Sequence, residues 1–158
     1  MKSIKVPQSF IHPLFYQEED VVSSKSDLFY YDMMALLNER AERPWKKGSE
    51  APFKVFQNEK EEIRELFRQR KKEDVKELMK SSIGQFITFL FWMNHLPVPG
   101  FRNFSEHVAS LEIKPFNVEE RLSFVMQKPY QYVSYMQLDE LFTEANKQAK
   151  VNALIKRK

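Results

Sequence analysis

The chain has 158 residues, of which 42% are hydrophobic and 14 are Phe, so it is long enough for one domain with its own core and too apolar for a disordered tail. Its 25 basic and 22 acidic side chains leave a formal charge of +3, a mild excess that does not by itself mark a phosphate-binding protein. Only Gly48, Gly84 and Gly100 are present and cysteine is absent, which excludes Walker and Rossmann phosphate loops, disulfides, thiolate nucleophiles and Cys-ligated metals.

Residues 1–25 read as an irregular entry. Pro7 and Pro13 interrupt helix, Glu18-Glu19-Asp20 and Ser23-Ser24 form an exposed acidic loop, and Phe10, Ile11, Leu14, Phe15 and Tyr16 pin the segment to the body. Ser26 caps a first helix carrying Phe29, Met33, Leu36 and Leu37, which stops before Pro44. A turn holding Trp45 and Gly48 follows, and Asn58 opens a charged helix with Glu59, Glu61 and Glu62 in its first turn, where acids suit the helix dipole. Ile63, Leu66 and Phe67 share one face, whereas Val75, Leu78 and Met79 lie about 110° further round at the helical period. The phase change predicts a break near Lys71 and Lys72, with Glu73 and Asp74 restarting the helix.

Ser81 or Ser82 is predicted to cap a stretch from Ile83 to His95 whose Phe86, Phe89, Phe91 and Trp92 point in every direction, the mark of a helix at the centre of a bundle. Pro97, Pro99 and Gly100 end it. The apolar run from Ile83 to Leu96 falls short of the about 20 residues a membrane span needs. The N terminus lacks a secretory apolar run, which places the chain in the cytoplasm and away from the membrane. A short helix near Ser105 to Leu111 precedes Pro115, and Asn117 with Glu120 reads as a capping-box start for a helix burying Leu122, Val125 and Met126. After Lys128-Pro129, a last helix from about Val133 buries Leu138, Leu141, Phe142, Ala145 and Ala149, and its end over 147–158 is basic. The expected architecture is all-α: one domain over 1–158, a compact irregular bundle of six or seven helices around a central apolar helix at about 83–95, leaving no cleft for reactive groups.

Four stretches carry a family likeness: His12-Pro13-Leu14-Phe15, Arg43-Pro44-Trp45, Asn94-His95-Leu96-Pro97-Val98-Pro99 and Lys128-Pro129-Tyr130-Gln131-Tyr132. With them the chain resembles the YpoC-like proteins of Bacillus and relatives over nearly its whole length. The resemblance brings no catalytic residue to carry over. It implies an association, through gene neighbours, with DNA replication initiation and base-excision repair.

The residues point away from catalysis. His12, His95 and His107 lie on three separate elements without the spacing that places two ligands on one helix face, so no metal or cofactor is expected. The pairs Glu61-Glu62, Glu73-Asp74, Glu119-Glu120 and Asp139-Glu140 read as solvated surface charge, and no Gly-x-Ser-x-Gly elbow exists. Two binding classes remain. Arg43, Trp45, Phe101, Arg102, Tyr130 and Tyr132 stand at turns and are the residue types that anchor protein interfaces, which points to an adapter module with a protein partner. The alternative is an accessory nucleic-acid contact through Lys147, Lys150, Lys156, Arg157 and Lys158, with tyrosines for stacking. A helix-turn-helix is disfavoured, because Asp139, Glu140 and Glu144 on the candidate reading helix would meet phosphates.

Overall fold

A computed structural model describes residues 3–156. Its frame is a pair of long helices, α2 (Ala51–Arg68) and α3 (Lys72–Trp92), joined by three residues in which Arg70 has φ 57°. The break is where the phase of the apolar positions requires it. Two other boundaries differ from the expectation. α2 opens at Ala51 and not at Asn58, because Pro52 sits in the first turn, where its missing N–H removes no intrahelical bond and its fixed φ is already helical. α3 runs unbroken through Ser81 and Ser82, so the apolar stretch is the second half of a longer helix and no serine caps it.

The remaining helices are α1 (Tyr30–Leu36), α4 (Phe104–Ala109), α5 (Val118–Gln127) and α6 (Tyr132–Lys156), making an all-α bundle of six among the described residues. α1 starts after Phe29, at φ 62°, rather than at Ser26. The carboxylate of Asp27 instead accepts bonds from the backbone N–H groups of Ser23 and Ser24, closing the preceding turn. Asn117 likewise has φ 54° and its side chain makes no capping bond, so the expected capping box is absent.

Phe142 on α6 is the hub of the core. Its ring stacks on Phe56 of α2 at 4.4 Å and takes the edge of Phe86 of α3 at 5.2 Å. Farther back along α6, Tyr135 and Tyr132 meet Phe67 at the other end of α2, so α6 runs antiparallel to α2. The second half of α3 is buried on all sides, from Phe86 through Met93. A helix of that kind exists only where neighbours cover every face, and α2, α6 and the N-terminal segment supply the cover.

That segment carries more structure than its sequence suggests. β1 (Ile4–Lys5) pairs antiparallel with β2 (Val21–Val22), Ile4 opposite Val22. Phe10 and Phe15 are buried against Phe29 and Phe101. Gly100, at φ 106°, lets the chain pass Ser9 so closely that a Cβ would lie 2.6 Å from the Ser9 carbonyl oxygen. Gly84 serves packing rather than backbone freedom: a Cβ there would meet both Cδ atoms of Leu28 at 2.7 Å. Ala adds about 1 kcal/mol of helix propensity, while overpacking of this kind costs about 1–3 kcal/mol. Gly84→Ala is therefore expected to lower the urea midpoint, and Gly84→Ala combined with Leu28→Ala to recover part of the loss.

The exit from α3 is held by side chains. Asn94 donates to the carbonyls of Leu90 and Ile113 and accepts from the Ile113 N–H, all at 2.8 Å, tying the end of α3 to the segment after α4. His95, at φ 61°, reaches the carbonyl of Trp45 at 3.1 Å. It bonds a neighbouring segment rather than an orphan carbonyl of its own helix.

Candidate functional site

The six residues proposed as interface anchors separate into two groups. Trp45 is only 4% exposed, packs on Trp92 at 6.1 Å and closes the end of the core, so it has no surface to offer a partner. Phe101 is half-buried among Phe10, His12, Phe15, Phe29 and Phe104, and its N–H is bonded to Ser9. Both are core residues that happen to lie in turns, because a bundle of short helices must close its ends with side chains from its loops. Arg43 and Arg102 are exposed. Tyr130 and Tyr132 are exposed too, at 38% and 46%.

The two tyrosines mark a built site. They flank the α5–α6 turn, which lies against the α2–α3 turn, and between the two corners is a cavity of about 320 Å³. Its apolar wall is Leu66, Phe67 and Val75, with the edge of the Tyr132 ring on Phe67 at 5.5 Å. Its rim is basic: Arg70, Lys71, Lys72 and Lys76, with no acidic residue in the lining. Lys76 stands 5.7 Å from the Tyr130 ring centre and pairs with Glu73 at 3.1 Å, while Arg70, Lys71 and Lys72 make no ion pair among the described residues. The charge run that restarts α3 is thus also one wall of a pocket. Sequence reasoning assigned these cations to a helix boundary; the available signal was the acid-free run from Arg68 to Lys72.

Lys147 and Lys150 are exposed on the far part of α6. At 1.5 Å per residue they are roughly 20–27 Å along the helix from Tyr132, so they do not form one surface with the tyrosines. The side chain of Lys156, and Arg157 and Lys158, lie outside the described residues. The acids that spoke against a reading helix are engaged elsewhere: Asp139 pairs with Lys60 at 3.5 Å, and Glu144 takes a bidentate bond from Arg121, which holds its carboxyl below the usual range.

The expectation that no cleft holds reactive groups is not met. Asp32, 2% exposed, borders a cavity of about 510 Å³ between the 25–32 segment and the faces of α2 and α3. Its Oδ2 accepts from Trp92 Nε1 at 2.9 Å and from the Val98 N–H at 2.7 Å. Burial pushes its carboxyl up to about 6, against the opposing pull of those two bonds. Glu59, on the same cavity, is also raised, by burial and then by the charge of Glu62. Among the described residues no group of three or more His, Asp or Glu is placed to hold a metal ion. The three histidines stay apart: His12 accepts from the Leu14 N–H and packs on Phe101, away from His95 at the Trp45 turn.

Fold and site together define an all-helical bundle with a basic, tyrosine-lined surface pocket at one pair of corners. Its sequence matches the family described as YpoC-like protein over residues 46–157, more than half of the chain, and the chain belongs to that family. It is 31% identical to YpoC of Bacillus subtilis (strain 168) over 121 residues, covering 75% of this chain and 73% of that one. The family match starts at Lys46, so Asp32 lies outside the matched residues and the basic corner within them. No solved structure matches the chain, and no helix among the described residues is long and apolar enough to cross a membrane.

Proposed function

We propose that the protein is a cytoplasmic, non-enzymatic interaction module that docks an acidic segment of a partner protein at the corner formed by Arg70, Lys71, Lys72, Tyr130 and Tyr132. The observation that carries this reading is the conjunction of an apolar pocket with a rim of cations that have no internal counter-charge. On a chain with 22 acidic side chains, three neighbouring cations without a partner beside two exposed rings are a surface prepared for an anionic ligand. A cavity of about 320 Å³ suits one or two apolar side chains rather than a whole cofactor. The ligand that satisfies both walls is a chain segment with an apolar anchor flanked by Asp or Glu.

A second reading keeps the same corner and replaces the peptide by a single-stranded nucleic acid. It is favoured by the two exposed rings, which can stack bases while the cations track phosphates. Both are tested by fluorescence anisotropy with a panel of acidic peptides carrying one central apolar residue, and with an oligothymidine. The expected result is saturable peptide binding that weakens about tenfold or more on Arg70→Glu or Tyr132→Ala and is unchanged by Lys147→Glu with Lys150→Glu. Oligonucleotide binding that outcompetes the peptides and falls steeply with salt gives the second reading instead. Binding that follows Lys147 and Lys150, or no binding by any probe, contradicts the corner.

A further inference from the structure

The cavity beside Asp32 has a composition opposite to that of the basic corner. One wall is the continuous segment from Lys25 to Asp32; the other is built from Val55 and Glu59 of α2 and Gln85, Thr88 and Trp92 of α3. Its charged lining is Asp27, Asp32, Glu42 and Glu59 against the single cation Lys25. An acidic cluster alone says little, since carboxylates gather on many surfaces and are solvated there. Two facts set this one apart.

The first is that two of its carboxylate oxygens are shielded from solvent and have no hydrogen-bond partner: Asp32 Oδ1 and Glu59 Oε2. Asp32 itself is almost wholly buried. Its other oxygen is fixed by Trp92 and Val98, which holds the carboxylate in one orientation and leaves Oδ1 as an unfilled acceptor. A buried acceptor without a donor costs about 1–3 kcal/mol, more when charged. Such groups mark sites where a donor from outside completes the structure. The second is aromatic lining. Tyr31 and Trp92 contact each other at 6.2 Å on the same cavity, and Tyr30 and Phe29 adjoin them. Ring faces next to carboxylates attract organic cations and offer nothing to anions.

The chemistry of the ligand follows by elimination. An anion is repelled by four carboxylates. A bare metal ion needs several oxygens converging on one point, which the described residues do not provide. A cation with its own N–H donors, spread along a short apolar chain, can address separate carboxylates and lie against Val55, Pro52 and the rings between them. The volume of about 510 Å³ is that of a small-molecule site. We infer that this cleft binds a linear aliphatic polyamine, whose ammonium groups donate to Asp32 Oδ1 and Glu59 Oε2.

The test is a calorimetric titration of the full chain with spermidine at about pH 7.5 and constant ionic strength, with tryptophan fluorescence as a second readout through Trp92. At that pH Asp32 is ionised. Binding is expected to be saturable with one site, to shift the tryptophan emission, and to weaken at least tenfold in Glu59→Gln. Asp32→Asn is expected to do the same, because the asparagine oxygen can still accept from Trp92 and Val98 while its amide presents a donor where the ammonium would sit. Should Asp32→Asn fail to fold, Glu59→Gln, on a half-buried side chain, carries the test alone. No saturable binding, an equal response to magnesium at the same ionic strength, or unchanged affinity in Glu59→Gln overturns the inference.

Discussion

Phe142→Ala is expected to lower the free energy of unfolding by about 3–5 kcal/mol, the cost of deleting a fully buried ring from a core that cannot collapse around the gap. Four rings converge on this one. Phe56 stacks on it at an interplanar angle of 11°, Phe86 meets it edge-on at 81°, and Phe53 and Phe89 lie within 6.3 Å. These partners come from α2 and α3, each fixed by its own helix, so none can move in to fill the volume without breaking other contacts. Against a total stability of about 5–15 kcal/mol the loss is a large fraction of the whole. Urea unfolding of Phe142→Ala beside Phe116→Ala separates packing from mere hydrophobicity, since Phe116 is 80% exposed and its removal is expected to change little. Similar losses in the two variants would show that α6 does not occupy the centre.

The second large effect is on the pH dependence of stability, and its origin is Asp32. The folded protein holds this carboxyl at about 6, above its ordinary value of 3.8, so folding favours the protonated form. Below the ordinary value both states are protonated and the group contributes no slope. Between the two values the folded state keeps a proton that the unfolded state has released, and stability falls as pH rises. Above about 6 the full cost of a buried charge is present, about 3 kcal/mol from the size of the shift. Asp32→Asn has no proton to lose. Subtracting its unfolding free energy from that of the natural chain is expected to give a difference that declines by about 3 kcal/mol from about pH 4 to about pH 7.5. Parallel profiles for the two proteins would mean that Asp32 is solvated.

These two residues also divide what the sequence reveals from what it hides. Phe142 is visible from periodicity alone, because it belongs to the stripe Leu138, Leu141, Phe142, Ala145 that a helix buries on one face. The break after Arg68 is equally legible, since a phase change in apolar spacing is a local property. Asp32 is not legible: it stands in an aromatic run that reads as core, and the Trp92 side chain that holds it is 60 residues away. Helix starts were hidden for a different reason. Pro52 and Ser82 carry the residue types of a breaker and a cap, but a proline in a first turn is harmless and a serine inside a packed helix is merely neutral, so tertiary burial decides. Trp45 and Phe101 were misplaced because a turn in sequence is not necessarily a surface in space.

The basic corner shows the same limit. Tyr130 and Tyr132 are legible as exposed rings beside a proline turn. Their partners, Arg70 to Lys72, belong to another hairpin, and only the antiparallel course of α2 and α6 brings the two turns together. The C-terminal cations drop out of the same surface through helix length alone, lying several turns away on one straight rod. Position along a helix, not charge, separates the two basic regions.

Heteronuclear NMR of the isotope-labelled chain, titrated with the tightest acidic peptide, tests the assignment of the binding face most directly. The amide shifts are predicted to concentrate on residues 66–76 and 130–132. Shifts centred on 147–155, or spread evenly over the bundle, would contradict it.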